Sequence, residues 1–422
     1  MNATQEFEHA PIDNASPEII ELIKMSEDYL ALGIYDSACS CLKEALLLGE
    51  LDLDVYNRLG YVNYCQHEYH TALECYQMAL DIHDDAEVIN NLGLLYMAIS
   101  EYEIAEQYFL KAIEFPETKT KANFNLAKLA LASEDYSKGW AYYQNRITLF
   151  DNDTPMAADI SEKSILIYGD LNYWQEMFFL RFIPELVNSG AKKISYYASE
   201  ELHVLFKKGI DGVELLRSLP MDTQYDVILS IVDLPGVLSK SQNLSSLAPF
   251  SFSTPSKSSV KIARNLLPNN GRENIAVLWE ASSPESSGLR MKFSPELLGE
   301  SLRYTDANIL VLQQGASEKE IRLLEKGLRR KVFNYGFSND SVESSLAFLS
   351  EVDHYISVGD HNVHIALSLN KKVSVLVPHP PQWQWLNDAK QSPWFPSCNI
   401  YRQDISGSWE QACLDLKSAL HE

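Results

Sequence analysis

The sequence predicts an α-helical solenoid followed by an α/β region made of two halves, each with a parallel sheet. A period of about 34 residues runs through the first third of the chain, and strand-like apolar runs alternate with helical stretches after it. A serine-rich segment, residues 241–260, separates two such alternating series. A chain of 422 residues with 46% hydrophobic and 22% charged residues is expected to form two or three globular domains.

Four tyrosines mark the period in the first third. They are spaced by 34, 33 and 34 residues, and a small residue follows each three positions later: Tyr35 and Ala38, Tyr69 and Ala72, Tyr102 and Ala105, Tyr136 and Gly139. Leu-Gly pairs recur in the same register at residues 59–60 and 92–93. Small residues at helix crossings predict helix–turn–helix units that bury their faces only by stacking. We therefore predict a repeat array over residues 18–150.

This repeated pattern resembles the tetratricopeptide repeat family, in which the concave face of the array binds polypeptides. Polar residues expected on the first helix of each repeat are candidates for that role, because an asparagine amide can hydrogen-bond a peptide backbone bidentately. The candidate acceptor-binding residues are Asn57, Asn90, Asn91, Asn123 and Asn125. Ordinary polar positions on exposed helices are the alternative interpretation.

The remaining two thirds read as alternating strands and helices. Residues 151–164 are predicted to be a linker, residues 165–265 a first Rossmann-like half and residues 270–422 a second, nucleotide-binding-like half. "SILIYG", "KKISYYAS" and "YDVILSIVDL" are the strand candidates of the first half; "NIAVLWEAS", "ANILVLQQG", "VDHYISVG" and "KVSVLVP" are among those of the second. Alternation of this kind predicts parallel sheets, whose ligands bind at the carboxyl ends of the strands.

Several segments resemble the bacterial tetratricopeptide-repeat glycosyltransferases, which share the GT-B fold of heptosyltransferase-like and O-linked N-acetylglucosamine transferase-like enzymes. The segments are "IYGDLNYWQEMFFLRFIPELVNSGAKKI", "IAVLWEASSP", "MKFSPELL", "VDHYISVGDHNVHIALSLNKKVSVLVP" and the tryptophan-rich "QWQWLNDAKQSPWFP". The resemblance implies a nucleotide-sugar donor, no tightly bound cofactor, and an acceptor protein recruited by the repeats. Some relatives are thought to modify flagellin, so a surface protein is the implied acceptor.

The resemblance also implies site residues. His364 falls on the family's histidine near the donor phosphates, and Asp170 lies in the loop that follows the first strand; these two are the catalytic candidates. The implied nucleotide-sugar-binding residues are Trp279, Lys292, Gln313, Gly359, Asp360, His361, Ser392 and Trp394. A helix beginning near residue 361 would offer its amino end to the diphosphate.

Departures from the family pattern weaken this interpretation. The expected first loop, Glu-Gln-Gly-x-Gly-Asp, is Asp-Leu-Asn-Tyr-Trp-Gln at residues 170–175, so both glycines and the terminal acid are missing. Asp360 replaces a threonine where the diphosphate would lie. At a separation of about 5 Å and an effective dielectric constant of about 20, repulsion between the Asp360 carboxylate and each charge of a diphosphate would weaken binding by about 3 kcal/mol. The motifs are therefore degenerate.

The cluster of Asp360, His361 and His364 has three interpretations. It can be a capped helix that retains His364 at the family's phosphate-proximal position, a working donor site, or a metal site. No Cys or Glu completes a four-ligand set at the usual spacing, so no metal is predicted.

Charge and composition exclude several classes of function. Residues 1–150 hold 25 acidic and 9 basic side chains, or −16, out of a net charge of −23. An acidic surface repels phosphate backbones, so nucleic acid is not an expected partner. The sequence shows neither a signal peptide nor a run of 18 apolar residues, and six cysteines in this length make no disulfide framework. A cytoplasmic location is expected.

Two functions remain open from the sequence. The first is a protein glycosyltransferase that transfers a sugar from a nucleotide-sugar to a protein held by the repeats. The second is a catalytically inactive scaffold that keeps the GT-B-like fold and binds a partner protein.

Overall fold

The computed structural model describes most of the chain. The described residues are 16–49, 52–145, 160–169, 173–206, 209–220, 225–238, 247, 249–281, 291–387 and 391–421. Most of the predicted linker, residues 151–159, and the candidate Asp170 lie outside these ranges.

Eight helices form the predicted repeat array. They are α1 (Pro17–Ala31), α2 (Tyr35–Leu48), α3 (Leu53–Cys65), α4 (Tyr69–Ile82), α5 (Ala86–Ala98), α6 (Tyr102–Ile113), α7 (Lys119–Ala132) and α8 (Tyr136–Tyr143). Each of the four periodic tyrosines is the first residue of the second helix of a pair. The turn before each tyrosine is the same, because residues 33, 67, 100 and 134 all have positive φ angles, between 62° and 70°.

The small residues of the repeat lie at helix crossings, as predicted. A Cβ atom on Gly60 would stand 2.6 Å from the Tyr76 ring, and one on Gly93 would stand 2.5 Å from the Phe109 ring. The large aromatic of each second helix therefore fills the space that the glycine leaves on the first helix. This local size pattern is what stacks neighbouring helices into an array.

The first half of the α/β region contains a four-stranded parallel sheet in the order β3-β2-β1-β4. Its elements are β1 (Ser164–Tyr168), α9 (Tyr173–Phe179), α10 (Ile183–Asn188), β2 (Lys193–Tyr197), β3 (Glu214–Leu216), β4 (Val227–Ser230) and α11 (Leu234–Leu238). The single long helix expected after β1 is interrupted by a 3-10 turn at Leu180–Phe182. Pro184 at the start of α10 explains the interruption, because proline cannot donate to the preceding turn.

The second half contains a six-stranded parallel sheet in the order β12-β11-β10-β5-β8-β9. Its elements are α12 (Lys257–Leu266), β5 (Glu273–Val277), β6 (Glu280–Ala281), β7 (Met291–Lys292), α13 (Pro295–Leu302), β8 (Ala307–Val311), α14 (Glu318–Leu328), β9 (Phe333–Asn334), α15 (Val342–Ser350), β10 (His354–Ser357), α16 (Asn362–Ser368), β11 (Lys372–Val377), β12 (Cys398–Arg402) and α17 (Glu410–Ala419). The short β6 and β7 pair antiparallel outside this sheet. The predicted fold class, a helical repeat array followed by an α/β region of two parallel-sheet halves, is confirmed.

One aromatic cluster joins the array to both halves. Trp140 of α8 packs edge-on against Phe182 of the first half and against Trp383 and Trp394 of the second, with ring centroids 5.5 to 6.3 Å apart. These four rings belong to one continuous hydrophobic core that extends from the last repeat to the C-terminal helix. Trp409, at the start of the C-terminal helix, packs edge-on against Phe293 with ring centroids 4.8 Å apart. No helix among the described residues is long and apolar enough to span a bilayer.

Candidate functional site

His364 lies on α16 at the boundary between the two halves. Its ring packs against Phe395, at 5.3 Å between centroids, and more distantly against Phe178 of the first half, at 6.3 Å. The side chain as a whole is half-buried, whereas Nδ1 is enclosed and has no hydrogen-bond partner among the described residues. Burial, followed by the charges of Arg181 and His361, lowers the pKa of His364 to about 3. The imidazole is therefore neutral at pH 7.

Arg181 is the residue of this boundary that sequence reasoning missed. It is 3% exposed, and its guanidinium lies 4.2 Å from the Phe178 ring centre and 4.9 Å from that of Phe395. Its Nε donates to the Phe178 carbonyl and its Nη1 donates to the Trp394 carbonyl, at 3.0 and 2.7 Å. No ion pair joins it to a carboxylate among the described residues, and burial lowers its pKa to about 9. A lone basic residue in the apolar run "MFFLRFIPEL" was the available signal.

The amino end of α16 is occupied by the chain's own carboxylate. Asp360 accepts from the Tyr355 hydroxyl at 2.8 Å and from the Asn362 backbone N–H at 3.3 Å. Gly359 has a φ of +86°, and a Cβ there would stand 3.4 Å from Trp385. Burial lowers the pKa of His361, which packs on Tyr173 of the first half. In this conformation an incoming diphosphate would meet Asp360.

Three predicted donor residues of the second half have internal partners. Gln313 Oε1 accepts from the backbone N–H groups of Trp279 and Glu280, at 3.1 and 2.9 Å, so it closes the end of β5. The Trp279 side chain is completely buried. Lys292 pairs with Glu280 at 2.8 Å and with Glu320 at 3.5 Å, so its charge is already balanced.

Ser392 and Trp394 form a buried turn at the boundary between the array and the α/β region. The Ser392 hydroxyl donates to the Gln384 carbonyl at 2.5 Å and accepts the Trp394 N–H at 3.1 Å. Neither side chain is exposed, and the Trp394 ring packs on Tyr136 of α8. The Ser-Pro-Trp segment thus joins the domains in this conformation.

Four of the five predicted acceptor-binding asparagines form hydrogen-bonded pairs inside the array. Asn91 Nδ2 donates to Asn57 Oδ1 at 2.9 Å, and Asn125 Nδ2 donates to Asn90 Oδ1 at 3.0 Å. Asn123 donates to the Lys119 carbonyl one turn earlier. All five asparagines are buried, so they would have to leave these bonds to clamp a peptide, and their acceptor role stays a prediction.

A buried carboxylate lies near the position predicted for the first loop. Glu176 of α9 accepts from the Tyr196 hydroxyl at 2.6 Å and from the Ser199 hydroxyl at 2.5 Å. A Cβ on Gly169, at the end of β1, would stand 2.3 Å from this carboxylate. This end of β1 therefore holds a carboxyl group of the protein itself, and the catalytic role of Asp170 stays a prediction.

The array meets the carboxyl edge of the six-stranded sheet at the carboxyl end of α5. The segment after β11 reaches α5, where His379 Nε2 lies 2.7 Å from the Ala98 carbonyl. The Gln403 side chain, at the end of β12, accepts the His379 backbone N–H at 2.9 Å. Because ligands of parallel sheets bind at this edge, the array and the expected ligand side of the second half share one boundary.

Comparison with known proteins supports the repeat assignment and gives distant structural neighbours. The family model described as Tetratricopeptide repeat matches residues 86–115, which contain α5 and α6. No curated protein matches the sequence significantly.

Three solved structures illustrate the neighbours. A glycosyl transferase family 9 structure from Veillonella parvula is 10% identical, covers 63% of this chain and 99% of its own, and has a TM-score of 0.46. MamA is 21% identical, and the match covers 30% of this chain and 75% of the MamA chain, with a TM-score of 0.27. A tetratricopeptide repeat protein from Parabacteroides merdae is 22% identical, and the match covers 31% of this chain and 52% of that protein, with a TM-score of 0.27.

Proposed function

We propose that this protein is a GT-B-type glycosyltransferase that transfers a sugar from a nucleotide-sugar to a polypeptide held by the repeat array. One observation carries the proposal. The carboxyl end of α5 in the array abuts the carboxyl edge of the second sheet, through the contact of His379 with the Ala98 carbonyl. A polypeptide on the array would lie beside the edge at which a nucleotide fold binds its ligand.

The reaction needs a proton acceptor for the attacking hydroxyl. That oxygen forms a bond to the anomeric carbon, the bond from this carbon to the diphosphate breaks, and the hydroxyl proton moves to a base. His364 remains our candidate, because its imidazole is neutral at pH 7; to act as the base it needs the negative charge of a bound diphosphate to raise its low pKa. Arg181 is a positioning residue in this proposal, since it fixes the Trp394 turn and the Phe178 helix on either side of the boundary.

A binding screen followed by a transfer assay tests the proposal. Calorimetry of the full chain with UDP, GDP, ADP, CMP and their sugars is expected to find one nucleotide-sugar with a dissociation constant below about 1 mM. The same sugar, radiolabelled, is then expected to appear in the protein fraction of a cell extract treated with the chain. His364→Ala should reduce that incorporation at least tenfold while changing donor affinity by less than about twofold. Absence of any nucleotide binding at millimolar concentration would overturn the proposal.

The second candidate, an inactive scaffold that binds a partner protein, is favoured by a different observation. The predicted donor residues are engaged internally: Asp360 caps α16, Gln313 closes β5 and Lys292 pairs with two glutamates. If this candidate is right, the binding screen finds no nucleotide, and Asp360→Thr, which removes the negative charge, fails to create binding.

A further inference from the structure

Arg181 carries a buried charge that no carboxylate balances within the described ranges. Its neighbour Cys398 does not supply the opposite charge, because burial raises the pKa of that thiol to about 12 and keeps it protonated at pH 7. The ring centres of Phe178 and Trp394 lie 4.2 and 5.8 Å from the guanidinium carbon, and such rings stabilise a cation without neutralising it. Buried charges in folded proteins are normally paired, so a negative partner of Arg181 is expected.

One nitrogen of this guanidinium is not used by the fold. Nε and Nη1 donate to the Phe178 and Trp394 carbonyls, whereas Nη2 is enclosed and has no partner in the part of the chain that the structure describes. An enclosed donor without an acceptor has lost its hydrogen bond to water and gained none in return. Nη2 can therefore donate to a ligand at no cost to the contacts of the fold.

His364 supplies a second enclosed nitrogen from the other half. Its Nδ1 is enclosed and, among the described residues, has no partner either. The imidazole and the guanidinium lie against the same Phe395 ring, at 5.3 and 4.9 Å, and both lie against Phe178. The charge of Arg181 is also one of the causes that lower the pKa of His364, as expected for neighbouring groups. The two nitrogens thus face the same boundary from opposite halves.

The surrounding charges do not balance Arg181 at neutral pH. Of the described residues, no carboxylate is among the groups that shift the pKa of Arg181 or of His364. Asp360 acts on the pKa of His361 instead. His361 also acts on His364, but burial lowers the pKa of His361, so this imidazole is neutral at pH 7. The pair therefore keeps one net positive charge.

These two nitrogens determine the chemistry of the ligand. Nη2 is always a donor, and Nδ1 is a donor when it carries the imidazole proton. A water molecule would accept both hydrogen bonds and leave the charge unbalanced, whereas an anion satisfies both demands. Because both atoms are enclosed, the anion has to be small and is not part of a nucleotide. We propose that a small inorganic anion such as chloride binds between Arg181 Nη2 and His364 Nδ1.

This anion site prepares His364 for the proposed function. An anion that accepts from Nδ1–H fixes the tautomer in which Nε2 keeps its lone pair and can accept the proton of the attacking hydroxyl. Its negative charge raises the pKa of the imidazole, in addition to the effect of a donor diphosphate bound outside the enclosed space. Binding of the anion is independent of the proposed function, whereas this role in proton transfer rests on it.

Nuclear magnetic resonance of the full chain at pH 7 tests the anion site. Chloride replaces gluconate, an organic anion too large for an enclosed site, at constant ionic strength. The nitrogen chemical shifts of the His364 ring report which nitrogen carries the proton. Chloride is expected to raise the fraction of the Nδ1–H tautomer at least twofold in a saturable manner. The melting temperature should rise with the same dependence on chloride, because the ligand binds the folded state.

Substitutions of two arginines test whether the response comes from this site. Arg181→Met removes the charged donor and should abolish the chloride response, whereas Arg181→Lys keeps the charge without the fork and should retain a weaker response. Arg330→Met is the matched control, since Arg330 Nη1 and Nη2 already donate to the Thr305 and Ala307 carbonyls; it should respond like wild type. Circular dichroism checks that each variant is folded.

A crystal of wild type soaked in bromide gives a test that needs no variant. Anomalous scattering should place the ion between the two nitrogens. Absence of such a peak, equal tautomer fractions in chloride and gluconate, or an equal response of Arg181→Met and wild type would overturn the anion site. None of these results decides whether a nucleotide-sugar binds. A chloride response in a protein that binds no nucleotide at millimolar concentration would support the anion site and overturn the proposed function.

Discussion

The neutrality of His364 predicts how the stability of the protein depends on pH. The pKa of the imidazole is about 3 in the fold and 6.5 in an unfolded chain. Because the folded value is the lower one, the unfolded state binds more protons between these values, and stability falls as pH drops through that range. From pH 7 to pH 5 this linkage amounts to about 2 kcal/mol for one imidazole.

The assay is urea unfolding of wild type and His364→Gln at pH 7 and pH 5. The substitution removes the titrating group, so the loss of unfolding free energy between the two pH values should be smaller in the variant by about 2 kcal/mol. His354 supplies a matched control, since it is buried, lies 2.9 Å from the Ser374 hydroxyl and has its pKa lowered to about 4. His354→Gln should likewise reduce the loss of unfolding free energy between pH 7 and pH 5, by a similar amount.

Equal pH sensitivity of wild type and His364→Gln would refute the reasoning, because it would mean that His364 titrates normally in the fold. Nuclear magnetic resonance of the His364 ring gives an independent check: its protonation midpoint should lie far below 6.5 in wild type. In Arg181→Met the midpoint should rise, since the Arg181 charge is one of the causes of the shift.

Two further predictions concern the core. Gly93→Ala should destabilise the array by about 1 to 3 kcal/mol in chemical denaturation, because the new Cβ lies 2.5 Å from the Phe109 ring. This clash outweighs the higher helix propensity of alanine. An unchanged or raised denaturation midpoint would contradict the observed packing. Burial raises the pKa values of Cys65 and Cys398 to about 12, so both thiols should react with iodoacetamide at pH 8 at least tenfold more slowly in the native protein than in urea. Peptide mapping by mass spectrometry measures the two rates. Equal rates would mean that these thiols are accessible in the fold.

Local patterns made the array predictable from the sequence alone. The tyrosine period indicated the repeats, and small residues such as Gly60 and Gly93 lie at helix crossings as predicted. Apolar runs likewise located β1, β2, β5 and most of the other strands. These features repeat within a few turns or one strand, so each segment carries its own signal. The three-residue β3, which has almost no periodicity, was not anticipated.

Site residues were not predictable to the same degree, because their partners lie far away in the sequence. Arg181 is held by the Trp394 carbonyl across 213 positions. Lys128 and Lys292 share a cavity only because the second half folds back onto the array. Composition placed acidic residues in the array, but no local pattern indicates where in the fold each of them lies.

The sequence by itself therefore determined the architecture of this protein: a repeat array followed by two parallel-sheet halves. Tertiary structure alone decided which polar residues of the predicted site are engaged internally, and where a cavity remains. Secondary structure follows from spacings of two to four residues along the chain, whereas the partner of a charge or an amide depends on which distant segment packs against it. At Asp360 the sequence supplied the carboxylate, and only the fold showed that Tyr355 and Asn362 already hold it.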